Sequence, residues 1–241
     1  MTAAQRKDIG EFDQDAAAGG YLYTRPGRLS TSLSNVRMSQ AILAAADFTA
    51  KRVIDLGCGD GAYTLELVSV GGAASAVGVD PAPAAISAAT DRAKLSGVAG
   101  CSFRVGNIYS IDPGIENYDI AVLRGVLHHT DDPERALAVA LALAPFAIVL
   151  EPNGSNPVLK LIERLSPYHR AHSERSFLPS TVRRWARRTG GRVVLQRAIN
   201  LVPMFCPDWL ARFCKAIEPA VETLPLLRNF ACGQYVFRFE R

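Results

Sequence analysis

Residues 51–61 read Lys-Arg-Val-Ile-Asp-Leu-Gly-Cys-Gly-Asp-Gly, and this stretch decides the fold. The β-branched pair before Asp55 predicts a short buried strand, and the three glycines after it predict a tight turn. A helical pattern of apolar residues begins at Ala62. Glycine tolerates a positive φ and lets a ligand approach the bare backbone. The stretch therefore predicts a strand, a glycine turn and a helix whose first N–H groups face a ligand.

Two kinds of ligand compete for this turn. The pattern Gly57-x-Gly59-x-x-Ala62 fits the dinucleotide fingerprint, in which a helix N-terminus holds a pyrophosphate. The carboxylate of Asp55, with a second one expected from Asp60, would repel that anion, and like charges repel more strongly when they are partly removed from water. A cationic amino group would be attracted instead. The charge of the turn therefore favours S-adenosylmethionine, which carries an ammonium group and no phosphate.

A second acidic residue supports that choice. Residues 76–80 predict a short strand that ends in Asp80, 19 residues after Gly61. An acid at the end of the second strand of such a unit can accept hydrogen bonds from both hydroxyls of a ribose. The turn and this acid together resemble the class I S-adenosylmethionine-dependent methyltransferases, whose first motif is an acid-x-Gly-x-Gly-x-Gly loop. That motif is filled in full by Asp55, Gly57, Gly59 and Gly61.

The resemblance implies an α/β fold with a Rossmann-like, seven-stranded, mostly parallel sheet whose last strand is antiparallel. It also implies helices on both faces of the sheet. A helical lid would be formed by the N-terminal segment and by the segment after strand five. It divides the chain into an arm or lid (1–35) and a methyltransferase domain (36–241), with an acceptor-pocket insertion at about 153–180. Related enzymes usually have Asp where this chain has Asn107, which keeps an acceptor oxygen but loses the charge. The implied cofactor-binding residues are Asp55, Gly57, Cys58, Gly59, Gly61, Asp80, Pro81, Gly106, Asn107, Ile108, Arg124 and Gly125.

Polar residues follow five predicted strands, and ligands of open α/β sheets bind beyond such strand ends. These residues are Asp55, Asp80, Asn107, the segment 124–129 and Glu151. Apolar periodicity further predicts a helix over 36–48 and a helix with a proline break over 211–227. Alternation of aromatic residues predicts a closing strand over 233–240.

The sharpest candidates for chemistry are His128 and His129, directly after the fourth predicted strand. Methyl transfer to a hydroxyl needs a base, and histidine suits that task near neutral pH. Consecutive residues do not share one helical face, so we expect at most one of the two in the pocket. The alternative is that one or both histidines only satisfy backbone groups at a helix approach. The pair favours O-methylation of a small molecule, while N- or C-methylation stays open because an amine acceptor needs little more than desolvation.

Aromatic and histidine side chains outside the motif are candidates for binding the acceptor. Tyr21 and Tyr23 lie in the N-terminal arm, where aromatic faces can meet a sulfonium by cation–π attraction. Tyr168, His169 and His172 lie in the polar segment after the fifth strand, which commonly builds the acceptor pocket in related small-molecule enzymes. The alternative for both groups is a solvated arm or connection.

Charge is unevenly spread along the chain. The net charge is +4, whereas residues 160–192 hold nine Lys/Arg and two Glu. Such a region suits an anionic acceptor, although most arginines on amphipathic helices face water. Nucleic acid is disfavoured as a partner because aromatic residues are not interleaved with these arginines.

Neither a metal site nor a membrane span is predicted. The five cysteines lack metal-ligand spacing, and unpaired thiols favour a cytoplasmic protein. Residues 136–150 form the longest apolar run, which contains Pro145 and is shorter than the ~20 residues of a membrane helix. No secretion signal follows Met1.

Two functions of another class stay open. A Rossmann oxidoreductase would bind a nicotinamide dinucleotide at the same turn. A catalytically silent subunit would bind S-adenosylmethionine tightly and turn it over slowly with every acceptor. The sequence names neither the acceptor nor the oligomeric state.

Overall fold

The computed structural model describes Gly10 and residues 27–165 and 175–241. Helices and strands alternate through most of this part of the chain. In order they are α1 (Leu29–Leu43), β1 (Arg52–Leu56), α2 (Ala62–Ser69), β2 (Ser75–Asp80), α3 (Pro83–Ser96), β3 (Cys101–Val105), β4 (Ile120–Arg124), α4 (Pro133–Leu143), β5 (Phe146–Pro152), α5 (Pro157–Leu165), α6 (Pro179–Arg188), β6 (Arg192–Ile199), α7 (Asp208–Thr223), α8 (Pro225–Ala231) and β7 (Gln234–Glu240). Short 3-10 helices at Ile108–Ser110 and Leu127–His129 follow β3 and β4.

The strands of the described chain form one seven-stranded sheet in the order β3-β2-β1-β4-β5-β7-β6. Strands β1 to β5 pair in parallel, and β7 runs antiparallel between β5 and β6. The predicted mostly parallel sheet with an antiparallel last strand is confirmed. From β1 the chain builds β2 and β3 toward one edge of the sheet, and it then crosses back to place β4 on the other side of β1. Such a switch point opens a crevice at the carboxyl ends of the strands, where ligands of this architecture bind.

Helices cover both faces of the sheet because the buried strands carry apolar residues on both sides. On one face, Ile54 and Phe237 pack in a core that includes Leu137 of α4. On the other face, Val53 packs in a core that includes Ile42 of α1. Because both faces of these central strands are covered by apolar side chains, polar functional groups are expected at the strand ends.

Helix α1 differs from the helix predicted over 36–48, since it begins at Leu29 and ends at Leu43. Its first turns are rich in serine and threonine, which are weak helix formers. Tertiary packing overrides that weakness: Ser30 is fully buried, and the buried Ser34 hydroxyl donates to the Val202 carbonyl (3.0 Å). Packing against a distant segment leaves no local signal in the sequence.

The helical segment with a proline break predicted over 211–227 corresponds to two helices, α7 and α8. Pro219 lies inside α7, and the break comes at Leu224, which precedes Pro225 and is extended. A residue before proline is pushed out of the helical region, which explains the position of the break.

An ion pair between a partly buried arginine and a buried glutamate joins α7 to α1. Glu222 of α7 is 3% exposed and accepts two hydrogen bonds from the guanidinium of Arg37, the first at 2.8 Å. It also accepts from the backbone N–H of Asn200 (3.0 Å). Buried carboxylates require such partners, so α1 is held in place by charge as well as by apolar contact.

Candidate functional site

The turn between β1 and α2 has the conformation that its glycines predict. Gly57, Gly59 and Gly61 have φ values of +78°, +54° and +73°. The backbone N–H groups of Gly57 and Cys58 donate to the Val79 carbonyl at 2.8 and 3.2 Å. The turn is therefore fastened to the end of β2, beside the switch point of the sheet.

Two of these glycines also make room for other parts of the protein. A Cβ atom on Gly57 would lie 2.6 Å from Cγ2 of Val126, and one on Gly61 would lie 2.7 Å from Cβ of Ala89. Both distances are shorter than real Cβ contacts. Internal packing thus requires glycine at these positions in addition to the positive φ, a reason that the sequence did not reveal.

Asp55 carries a buried carboxylate at the base of the turn. It is 4% exposed, and its Oδ2 accepts a hydrogen bond from the Thr64 hydroxyl (2.6 Å). Burial raises the pKa of Asp55 to about 6, against the opposing effects of the Thr64 hydrogen bond and of Arg124. A bound cation would favour the ionised form, so the carboxylate is suited to an ammonium group.

Asp60 supplies the second carboxylate of the turn, and in the folded chain the charge of this carboxylate is paired with an arginine. Its side chain is buried, and its Oδ2 accepts from the guanidinium of Arg92 (2.8 Å), which also donates to the Asp60 carbonyl (3.1 Å). Arg92 lies 32 residues along the chain, on α3. Because this ion pair forms only in the folded chain, the sequence pattern of the turn could not show it.

Asp80 fixes the end of β2 to both neighbouring segments. Its Oδ2 accepts from the Gly59 N–H and its Oδ1 from the Ala82 N–H, both at 2.9 Å. Pro81 lies between β2 and α3. A carboxylate has about four lone-pair sites, so these contacts are compatible with the predicted ribose role.

The predicted adenine segment follows β3. Asn107 accepts a hydrogen bond from the Tyr109 N–H (2.9 Å), and the Gly106 N–H donates to the Asp80 carbonyl (3.0 Å). Ile108 is buried at 9% exposure. The structure thus places this segment beside Asp80, and its contact with adenine stays a prediction.

Arg124 ends β4 and turns toward α1. Its guanidinium lies 3.3 Å from the centroid of the Tyr63 ring and donates to Ser39 Oγ (2.8 Å), and burial lowers its pKa. A cavity of about 10 Å³ lies beside it and is lined in part by Asp55, which leaves space for one water-sized group. Gly125, at φ +69°, then turns the chain toward the histidines.

His128 is held by a residue to which the sequence assigned no role. Glu151, at the end of β5 and 1% exposed, lies with one carboxylate oxygen 2.7 Å from His128 Nδ1. The His129 ring lies against the His128 ring, with centroids 3.9 Å apart. Glu151 stands at the predicted rim of polar strand ends, but nothing in the sequence indicates that its partner is 23 residues away.

Several predicted acceptor residues lie outside the described part of the chain. They are Tyr21, Tyr23, Tyr168, His169 and His172. Over 27–165 and 175–241, no three His, Cys, Asp or Glu side chains form a group that could hold a metal ion. Asp132 caps α4 by accepting from the Arg135 N–H (3.0 Å). In the same ranges, every helix is too short or too polar to cross a membrane.

The residues present fit S-adenosylmethionine better than a dinucleotide. A pyrophosphate needs positive charge or a helix dipole without competing anions. Arg92 reaches the turn but is paired with the Asp60 carboxylate, and the buried carboxylate of Asp55 favours a cationic ligand over an anionic one. Cys58 in the same turn is an unreactive packing residue, because burial raises the pKa of its thiol.

Comparisons with known proteins agree with this geometry. A family model of the methyltransferase domain matches residues 47–167. The ubiquinone biosynthesis O-methyltransferase of Methylococcus capsulatus is 25% identical over 205 residues, which cover 78% of this chain and 83% of that protein. This chain spans only 24% and 37% of the length of two other curated relatives.

Solved structures share the fold. Magnesium protoporphyrin IX methyltransferase from Synechocystis, with bound S-adenosylhomocysteine, matches with a TM-score of 0.63 and 16% identity over 98% of this chain and 95% of that one. An O-methyltransferase from neocarzinostatin biosynthesis, in complex with S-adenosylmethionine and 2-hydroxy-5-methyl naphthoic acid, matches with a TM-score of 0.64 and 16% identity over 98% of this chain and 60% of that one. Because the family model covers half of the chain and the sheet order and glycine turn agree with it, the chain belongs to the methyltransferase domain family, within the class I S-adenosylmethionine-dependent methyltransferases.

Proposed function

We propose that this protein transfers a methyl group from S-adenosylmethionine to a hydroxyl group of a small molecule, with His128 as the general base. One observation carries the proposal. Val126 packs against Gly57 of the cofactor turn, and His128 follows two residues later with its ring fixed by Glu151. The candidate base is therefore rigidly connected to the turn that holds the methyl donor.

The chemistry of the site follows from this placement. When bound, S-adenosylmethionine would supply an electrophilic methyl group on a sulfonium, and cleavage of its S–CH₃ bond would leave S-adenosylhomocysteine. His128 takes the proton of the acceptor hydroxyl as its oxygen forms a bond to the methyl carbon. A positioned base of this kind contributes about 10²- to 10⁴-fold to the rate.

The acidity of the acceptor limits its class. An ordinary imidazole has a pKa of about 6.5, and a phenol such as that of tyrosine has one of about 10. Aliphatic alcohols are far weaker acids, so imidazole is much less effective as their base. We therefore expect a hydroxylated aromatic ring or a comparably acidic enol.

The relatives support this class of acceptor. One curated relative that spans most of both chains is named an O-methyltransferase, and one structural neighbour was solved with a hydroxylated naphthoic acid. Arg175 supports an anionic acceptor by its position, because the hydrogen bond from its guanidinium to the Thr130 carbonyl (3.0 Å) holds a positive charge one residue beyond the histidines. Other arginines of the basic region are engaged elsewhere: Arg188 with Glu134 and Arg192 with Glu240. The five free thiols support a reducing compartment such as the cytoplasm.

A panel of phenols, hydroxy acids, amines and carbon nucleophiles tests the proposal, with transfer of a labelled methyl group as the assay. We expect methylation of a hydroxylated aromatic compound. His128→Asn should lower kcat about 100-fold or more while the Kd of S-adenosylmethionine stays within a few-fold, and His129→Asn serves as the neighbouring comparison. The proposal would be rejected if methylation were confined to amines or carbon atoms. It would also be rejected if His128→Asn had the turnover of the wild type.

A further inference from the structure

The carboxylate of Glu151 contacts four nitrogen atoms of the segment that follows β4. One carboxylate oxygen accepts from the backbone N–H groups of Val126 and Leu127, both at 2.8 Å. The other accepts from the His128 N–H (3.3 Å) and lies 2.7 Å from the ring Nδ1 of the same residue. A single buried carboxylate therefore sets both the backbone of the Leu127–His129 turn and the orientation of the imidazole.

These contacts decide which nitrogen of the ring carries the proton. Three backbone N–H groups point at the carboxylate, so Glu151 acts as an acceptor in every one of these contacts. The short contact to Nδ1 then requires the proton on that atom. In a neutral imidazole with a proton on Nδ1, the lone pair lies on Nε2.

We propose that Glu151 is a positioning residue that holds His128 as the Nδ1–H tautomer, so that Nε2 is the atom that takes the proton from the methyl acceptor. This inference rests on the proposed function of His128 as the base. Proton transfer converts the ring to an imidazolium, and the adjacent carboxylate stabilises that charge. Glu151 thus prepares the base before the reaction and stabilises its product.

Glutamine at position 151 would reverse the tautomer. With its amide oxygen toward Val126 and Leu127, it satisfies the two shorter backbone contacts and places its NH₂ group against Nδ1. With the amide flipped, the NH₂ group meets two N–H donors at 2.8 Å instead of one at 3.3 Å. The first orientation is therefore favoured. The His128 ring must then accept a hydrogen bond at Nδ1 and carry its proton on Nε2, and a protonated Nε2 cannot take the proton of the acceptor.

The test uses the full chain, labelled with ¹⁵N-histidine and saturated with S-adenosylhomocysteine. The chain has four histidines, so comparison with His128→Asn assigns the ring signals of His128. At a pH where this ring is neutral, the ¹⁵N shifts should show a protonated Nδ1 in the wild type and a protonated Nε2 in Glu151→Gln. We expect Glu151→Gln to lower kcat about 100-fold or more, with the acceptor KM and the cofactor Kd within a few-fold of wild type.

A matched control is Glu116→Gln, which also removes one negative charge. Glu116 accepts from Arg104 and Tyr118 on the surface. It should leave the tautomer and the turnover unchanged.

The wild-type spectrum alone keeps the inference falsifiable if Glu151→Gln fails to fold. A wild-type ring with its proton on Nε2 overturns the inference, as does a folded Glu151→Gln protein with the wild-type tautomer. Wild-type turnover in His128→Asn overturns the proposed function instead, whichever tautomer is observed. The two failures are therefore distinguishable.

Discussion

Asp55→Asn should stabilise the folded chain and weaken cofactor binding, and both effects have one cause. Burial raises the pKa of Asp55 from its ordinary value of 3.8 to about 6. At about 1.36 kcal/mol per pH unit, keeping this carboxylate ionised above pH 6 costs the folded state on the order of 3 kcal/mol. Asparagine is neutral, has nearly the same shape and can still accept from the Thr64 hydroxyl. We expect Asp55→Asn to raise the free energy of unfolding by about 1–3 kcal/mol near neutral pH.

The contribution of Asp55 to the free energy of unfolding depends on pH, and the direction of this dependence follows from its two pKa values. The unfolded carboxyl ionises near its ordinary pKa of 3.8, and the folded one near 6. Between these values the folded chain binds more protons, so the contribution of Asp55 to stability falls as the pH rises from about 4 to about 6 and then stays constant. In urea unfolding across this range, the difference in stability between Asp55→Asn and the wild type should grow as the pH rises from about 4 to about 6. The two proteins should converge below about pH 4.

Cofactor binding should move in the opposite direction. A hydrogen bond to a charged group contributes about 1.5–3 kcal/mol, so Asp55→Asn should weaken S-adenosylmethionine about 10- to 150-fold in calorimetry. Wild-type affinity should also fall below about pH 6, where the carboxylate is protonated, and that dependence should vanish in the variant. Asp91→Asn is the matched control, because Asp91 pairs with Lys94 on the surface. The reasoning is refuted if Asp55→Asn is no more stable than the wild type and binds the cofactor equally well.

The remaining predictions concern the framework that holds the site. Arg37→Met removes the guanidinium that makes two hydrogen bonds to the buried Glu222 carboxylate, and leaves the Arg197 guanidinium 3.8 Å from it. The variant should lose about 1.5–3 kcal/mol in urea unfolding, and an unchanged midpoint would show that the pair with Arg37 contributes nothing. Gly61→Ala combines a positive φ of +73° with a Cβ atom 2.7 Å from the Cβ of Ala89. The variant should lower the free energy of unfolding by about 1–3 kcal/mol and lose most of its affinity for the cofactor. Gly97→Ala has a similar φ of +66° with open space around it, so it should cost only about 1 kcal/mol; equal losses in the two variants would exclude a packing effect.

Much of the fold was predictable because its signals are local. Strand β1, the glycine turn and helix α2 follow one another within 18 residues, and each is indicated by residue types at fixed short spacings. The same holds for the acid at the end of β2 and for the proline at the start of α4. The start of the helix predicted over 36–48 was wrong, since the helix begins at Leu29, because contacts with a segment about 170 residues away stabilise its serine-rich first turns.

The candidate site was predictable only as a set of strand ends. Its pairings were not, since the partners of Asp60 and His128 lie 32 and 23 residues away along the chain. The repulsion expected from Asp60 is offset for this reason, because its carboxylate is paired with Arg92. The sequence located Glu151 among the polar strand ends but assigned it no role. A carboxylate at the end of a strand carries no sequence signal that identifies its hydrogen-bond partner.

The sequence by itself determined the class of the protein: an acid, three glycines and a second acid at these spacings indicate a cofactor with an ammonium group and a ribose. Only the tertiary structure decided which charges are neutralised, which glycines pack against side chains and which histidine is held by a carboxylate. The physical reason is that conformational preference acts over a few residues. Charge pairing and burial, in contrast, depend on distances in space, which exist only once the sheet has brought its strand ends together.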